Sequence, residues 1–202
     1  MNKKTIFKKA LYILTPIIIL LILFALDQQI RGVVKTNINS AEWEMLVQTL
    51  NKFGDGGLQA VVAIIMIFAG YLKKEANLLK TGKYGLFAII ATGIAVQIIK
   101  HIIGRPRPTL TDAGISNFGP SISIGLDSFP SGHTASSFAL AAVLSSAYPK
   151  GKYVFYSLAG IAGLSRIYLD SHFASDVFAG AILGTAVGLL FVCRMIRQPH
   201  QQ

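Results

Sequence analysis

The chain has 202 residues, of which 52% are hydrophobic and 14% charged, with a net charge of +10 and mean hydropathy +0.55. A soluble domain of this length carries about 25% charged residues, so the composition excludes an ordinary soluble fold. One cysteine, Cys193, excludes an intramolecular disulfide and a cysteine metal cluster.

Uncharged runs recur along the chain at 10–26, 56–72, 84–99, 134–149, 153–165 and 177–193. Most reach the short end of the roughly 17–25 residues that span a bilayer. The run 153–165 is shorter, and extends to Leu169 if Arg166 sits at the interface or faces the protein interior. The reading is all-α: a six-transmembrane helix bundle forming a single membrane domain over 1–202. Lysines precede the first run as in a signal peptide, but cleavage after Ala25 would leave Leu23 where a small residue is needed. The first run is therefore expected to remain as a signal anchor.

Charge positions set the expected orientation. Lys3, Lys4, Lys8, Lys9, Lys73, Lys74, Lys80, Lys83, Lys150, Lys152, Arg194 and Arg197 all fall on one side, twelve of the 19 basic residues. The other side holds Arg31, Lys35, Lys52, Lys100, Arg105, Arg107 and Arg166. The richer side is cytoplasmic by the lysine and arginine rule, which places both termini inside. The basic excess is thus accounted for by topology and anionic lipid rather than nucleic acid, for which no motif is present.

Between the first two runs, "NSAEWEML" begins like a capped amphipathic helix, with Ser40 as N-cap and Trp43, Leu46 and Leu50 on one face. The segment 100–132 is rich in Gly, Pro, Ser and Asp and is expected to be irregular. The inner connections "KKEANLLKTGK" and "YPKGKY" read as short tethers. Lys100 and Arg107 follow the third run, His133 begins the fourth, Arg166 follows the fifth, and His172 and Asp176 precede the sixth. All six therefore fall on the outer side, at one depth.

Three stretches carry the chemistry: "KHIIGRPRP" (100–108), "FPSGHT" (129–134) and "SRIYLDSHFASD" (165–176). Arginine donates a planar fork to phosphate, and lysine supplies a compact charge. "PSGHT" precedes a helix start, where free N–H groups bind anions. His172 and Asp176 are four apart and share a helical face, so the carboxylate can hold one imidazole nitrogen and leave the other free.

In this order and spacing the three stretches resemble the type 2 phosphatidic acid phosphatase (PAP2) superfamily, with its signature K-x6-R-P, P-S-G-H and S-R-x5-H-x3-D. The resemblance covers roughly Leu79 to Ile196, with the motifs inside 100–176. It implies a bacterial cytoplasmic-membrane lipid phosphatase, whose site the charge bias puts at the outer face. His172 would be the nucleophile that forms a phosphohistidine, His133 the general acid, and Asp176 the residue orienting His172. Lys100, Arg107, Ser131, Gly132 and Arg166 would bind phosphate. No metal and no cofactor are implied, and no obligatory protein partner is evident. The implied substrate is a lipid phosphate or diphosphate, such as undecaprenyl diphosphate, phosphatidylglycerol phosphate or a lipid A phosphate, and membrane lipids are the other partner.

Two other readings stand beside this one: a lipid phosphotransferase using the same site, and a non-catalytic lipid-binding or transport protein. The superfamily's vanadate-dependent haloperoxidases share the cage but are soluble. Arg105 and Asp127 are placed near the headgroup, and Tyr168 and Asp170 at the rim of the site or in its turn. His101 and His200 are read as incidental.

Overall fold

The computed structural model describes residues 3–38 and 40–197, with side chains throughout except at 3–10, 12 and 13. His200 and the side chains of Lys3, Lys4, Lys8 and Lys9 lie outside the described residues. The elements are α1 (Lys3–Val33), which continues as a π-helical turn (Val34–Ile38), then α2 (Ala41–Lys52), α3 (Gly56–Leu72), α4 (Ala76–Ile103) and α5 (Pro108–Asp112). They are followed by α6 (Gly132–Ala147), a 3-10 turn (Pro149–Gly151), α7 (Lys152–Tyr168) and α8 (Ala174–Arg197). Among the described residues there is no strand.

Five of the six uncharged runs fall within helices of 17 residues or more, and the sixth, 134–149, fills α6 from its first turn and ends two residues beyond it at Pro149. Three stretches have the length and apolarity of a membrane span: Leu14–Ile38, Ala76–Asp112 and Ala174–Arg197, each with a mean hydropathy of 2.0. The pair α2 and α3, bent by 46°, makes a fourth if counted as one broken span. Large apolar side chains are exposed along α1 and α3, including Leu21, Ile22, Ile65 and Phe68. In a chain of this hydropathy those faces meet lipid.

The centre of the bundle is α6, which packs against α4, α7 and α8. Its sequence explains that position, since Ala135, Ser136, Ser137, Ala139, Ala141, Ala142 and Val143 are all buried. Small side chains let helix backbones approach closely in membranes. The partner face of α8 carries Gly180, Gly184 and Gly188, one turn apart. A Cβ built on Gly184 would lie 2.0 Å from the Ala135 carbonyl oxygen.

Two of the expected connections differ from the reading above. "KKEANLLKTGK" is not a loose tether, because only residues 73–75 turn and Ala76 onward already belongs to α4. Lys74 takes φ 53° to make that tight reversal. The 100–132 segment is irregular as expected except for α5, which starts at Pro108 with Arg107 at its N-cap. The amphipathic helix is present as α2; Ser40 stands extended before it but makes no side-chain cap bond. Trp43 and Leu46 are exposed, while Leu50 lines a groove against α7.

Gly184→Ala should destabilise the protein by about 1–3 kcal/mol, the usual cost of overpacking. Gly160→Ala, built into open space, should leave stability unchanged or slightly raised. Thermal unfolding in detergent micelles distinguishes the two.

Candidate active site

The site is assembled where α4, α6, α7 and the turn before α8 meet. A cavity of ≈ 470 Å³ is lined by Lys100, Arg107, Asp127, Gly132, His133, Arg166 and His172, with Gly93, Val96 and Gln97 of α4 beside them. Six of the eight residues expected from the sequence therefore face one space. The other two, Ser131 and Asp176, are fully buried behind it.

His172 lies in the turn between α7 and α8. Its backbone N–H donates to the Arg166 carbonyl, 3.2 Å, which ties the two residues together. Its Nδ1 is 3.6 Å from Oδ2 of Asp176. That distance is just beyond hydrogen-bond reach, and Nδ1 has no other partner. With Nδ1 turned toward Asp176, Nε2 is the ring nitrogen available to the cavity that His172 lines. Burial pushes the His172 imidazole below its ordinary pKa, outweighing the Asp176 carboxylate that favours the cation. A neutral ring is the form that can attack an electrophile.

Asp176 is satisfied on all sides. Oδ1 accepts from Arg105 Nη1 at 2.6 Å; Oδ2 accepts from the Ser128 hydroxyl at 2.6 Å and the Phe173 N–H at 2.9 Å. Its own carbonyl accepts the Ser131 N–H at 3.0 Å, which pins the "PSGHT" turn to the start of α8. Ser131 therefore differs from its expected role in one respect: its N–H is already used and cannot serve a phosphate. Its hydroxyl accepts from Thr134 Oγ1 at 2.9 Å. Gly132 reaches the cavity at the N-terminus of α6, where first-turn N–H groups lack intrahelical acceptors.

The cations are held differently from one another. Arg166 Nη1 donates to Asn51 Oδ1 at 3.0 Å, and that oxygen also accepts from Ser165 Oγ at 3.2 Å. Asn51 is at the end of α2, so the amphipathic helix helps to set the arginine. Arg107 makes a two-pronged pair with Asp127, Nε to Oδ1 and Nη2 to Oδ2, both at 2.8 Å. Lys100 Nζ reaches Asp127 Oδ2 at 3.4 Å. Burial alone would raise the Asp127 carboxyl, but the bonds and charges of Arg107 and Lys100 outweigh it and hold its pKa at about 2. Asp127 thus stays ionised in the fork of the cage.

The headgroup expectation for Arg105 is corrected. Arg105 turns inward, 5% exposed, to the Asp176 side of the site. Tyr168 and Asp170 do not line the cavity: the Tyr168 hydroxyl meets the Ser40 backbone, and Asp170, at φ 51°, pairs with Arg31 at 2.6 Å. His101 bonds locally to the Gln97 carbonyl. Among the described residues no group of three or more His, Cys, Asp or Glu could hold a metal. Sequence reasoning missed Asn51, Ser128 and Asp27, which sit outside the motifs and become informative only through contacts.

A helical bundle of membrane character, with a histidine–carboxylate pair facing a basic cavity, defines the class. Residues 82–199 match the PAP2 superfamily. Over 160 residues the chain is 31% identical to the lipid A 1-phosphatase of Rhizobium johnstonii, covering 72% of this chain and 65% of that protein. It therefore spans slightly less than two thirds of that relative's length. Two crystal structures have the same fold. The PAP2 type phosphatidylglycerolphosphate phosphatase of Bacillus subtilis aligns with a TM-score of 0.69 at 20% identity, covering 94% of this chain and 98% of that one. Aquifex aeolicus LpxE aligns with a TM-score of 0.64 at 26% identity, covering 83% and 95%. The chain belongs to the PAP2 superfamily.

Asp127→Asn should bind inorganic phosphate about 10-fold more tightly, since the anion no longer displaces a charge-assisted pair from Arg107. Calorimetric titration of the detergent-solubilised protein with phosphate reads this directly.

Proposed function

We propose that the protein is an integral-membrane phosphatase that removes phosphate from a lipid phosphate or diphosphate at the outer face of a bacterial cytoplasmic membrane. The observation that carries this reading is the convergence of Lys100, Arg107, Arg166, His133 and His172 on one cavity, with Asp176 behind His172. Phosphoryl transfer demands positioning and charge stabilisation, and this cavity offers both.

In the proposed reaction Nε2 of His172 attacks phosphorus while the bond to the lipid oxygen breaks. His133 gives its proton to that departing oxygen, so the products are a phosphohistidine and a lipid alcohol, or a lipid monophosphate where the substrate is a diphosphate. Water then attacks phosphorus, His133 takes the water's proton, and inorganic phosphate leaves with the imidazole restored. Lys100, Arg107 and Arg166 hold the phosphoryl oxygens, with Gly132 at the helix start; Ser131, fully buried behind the cavity, fixes the turn that presents it. Asp176 orients His172 and stabilises its cationic state. The similarity to a lipid A 1-phosphatase makes a lipid A phosphate the first substrate to assay, beside undecaprenyl diphosphate and phosphatidylglycerol phosphate.

The proposed topology has six crossings with both termini cytoplasmic. The twelve basic residues assigned to the inner side support it, as do the short inner turns between α3 and α4 (73–75) and between α6 and α7 (148–151). On the outer side, Lys100, Arg107 and Arg166 are retained for chemistry, which strengthens the asymmetry.

Phosphate release from a panel of lipid phosphates is the primary test. His172→Ala should abolish turnover in folded protein, and Asp176→Asn should lower it by about 10²–10⁴-fold. Substantial turnover by the alanine variant would overturn the covalent route. EDTA should leave activity unchanged, because the charge stabilisation comes from side chains; loss of activity restored by Mg²⁺ or Zn²⁺ would contradict it.

Sidedness is tested in cells with Cys193 changed to Ala. A membrane-impermeant thiol reagent should label a cysteine placed at Asn117 and not one at Gly151, and the reverse pattern would invert the topology.

A further inference from the structure

Two buried charges have no part in the reaction described above. Asp27 of α1 is 3% exposed and Arg105, just beyond α4, is 5% exposed. They meet through the guanidinium. Nη1 of Arg105 donates to Asp176 Oδ1 and to Ser175 Oγ, each at 2.6 Å, and Nη2 donates to Asp27 Oδ2 at 2.7 Å. Asp27 also accepts the Ser175 N–H at 3.0 Å and the Ser175 hydroxyl. The rings of Phe24 and Phe173 each lie 4.3 Å from the Arg105 Cζ and shield it from water.

We infer that Asp27 and Arg105 are positioning residues for the proposed nucleophile, forming a buried chain Asp27–Arg105–Asp176–His172 that runs from α1 to the cavity. The inference rests on the phosphatase reading. Its argument is one of charge balance as well as geometry. Arg105 paired with Asp176 alone would cancel the carboxylate's charge, and with it the field that steadies a cationic imidazole. Asp27 takes up the other arm of the fork. Two carboxylates against one guanidinium leave the chain with one net negative charge, directed at the ring that becomes cationic when phosphorylated. Lysine could not make this link, since its point charge lacks a two-armed fork.

The geometry is equally specified. Ser128 and the Phe173 N–H hold Asp176 Oδ2, the oxygen nearest His172, while Arg105 holds Oδ1. Rotation of the carboxylate is blocked at both oxygens. The contribution of α1 lies outside the three motifs and outside the matched family region, which begins at residue 82.

The test uses the full-length protein in detergent, with dioleoyl phosphatidic acid in mixed micelles as substrate. It reads kcat, KM, the pH profile of kcat/KM and thermal stability. The charges facing His172 are Asp176 from α8, Lys100 from α4 and Arg166 from α7; His133 of α6 and the loop residues Arg107 and Asp127 line the same cavity. None is altered in the variants.

Asp27→Asn should lower kcat by about 10–100-fold, the scale seen for outer-shell partners, with KM within about twofold. Its acid limb should move to lower pH: the nucleophile must be neutral, and losing a nearby negative charge makes the imidazolium harder to form. A tie that only stabilises the fold would lower thermal stability and leave the limb in place. Asp27→Glu, which keeps the charge, should return the limb to its wild-type position.

If Asp27→Asn does not fold, Arg105→Lys is read in its place, with a fall of similar size in kcat, KM held and the limb unmoved. Asp27→Asn with kcat within twofold of wild type and an unmoved limb overturns the inference, as does Arg105→Lys with unchanged kcat. A wild-type protein that releases no phosphate from any lipid phosphate removes the phosphatase reading, and the inference with it. A wild-type protein that turns over beside an unaffected Asp27→Asn removes the inference alone.

Discussion

A carboxylate with no access to water has to be satisfied by the protein, and Asp176 is such a group. Leaving it unpaired would cost several kcal/mol. Its partners come from the loop after α4 (Arg105), the loop before α6 (Ser128) and the turn before α8 (Phe173 N–H). Its backbone carbonyl takes the Ser131 N–H. The two segments that carry the "GRPRP" and "PSGHT" stretches are therefore anchored to the residue that backs His172. The distance between the motifs in sequence is bridged by the demands of one buried charge.

That arrangement is possible only because α6 and α8 come very close. Gly180 faces the Ser131 carbonyl, where an added Cβ would stand 2.6 Å from the oxygen, and Gly184 and Gly188 continue the contact along α6. Bulkier residues on α8 would push the helices apart, and the Ser131–Asp176 bond lies at the top of that seam. The alanine and serine content of α6 therefore serves two ends. It fills the bundle centre without bulk, and it sets the depth at which His133 and His172 share a cavity.

Much of this was legible in the sequence, and the physical reasons differ by feature. Helix positions followed from uncharged runs, since hydrocarbon admits few charges; the run 56–72 coincides with α3. The cavity residues were legible because phosphate chemistry draws on few residue types, and Lys100, Arg107, His133, Arg166 and His172 stand out in an apolar chain. Arg105 was misplaced because it stands between Gly104 and Pro106 in an irregular segment, where no helical or strand period says which way a side chain turns. Asn51 and Asp27 were invisible for another reason. Their importance comes from contacts to residues 115 and 78 positions away, and no local pattern encodes those. Asp127 is placed near the headgroup by its position in the sequence, but its bidentate grip on Arg107 depends on a partner 20 residues away that no local pattern specifies.

The pairing of Asp127 also changes how the cavity's electrostatics should be pictured. Three cations around an empty space would repel one another and would be costly to hold near a bilayer. Asp127 offsets two of them, Lys100 and Arg107, and leaves Arg166 to Asn51, a neutral partner. An incoming phosphate then trades one charge-assisted pair for another at Arg107 while meeting an uncompensated charge at Arg166. The gain on binding is smaller than three free cations would give. By the same balance the phosphate product of the proposed reaction would be easier to release, because a carboxylate stands ready to take back the fork.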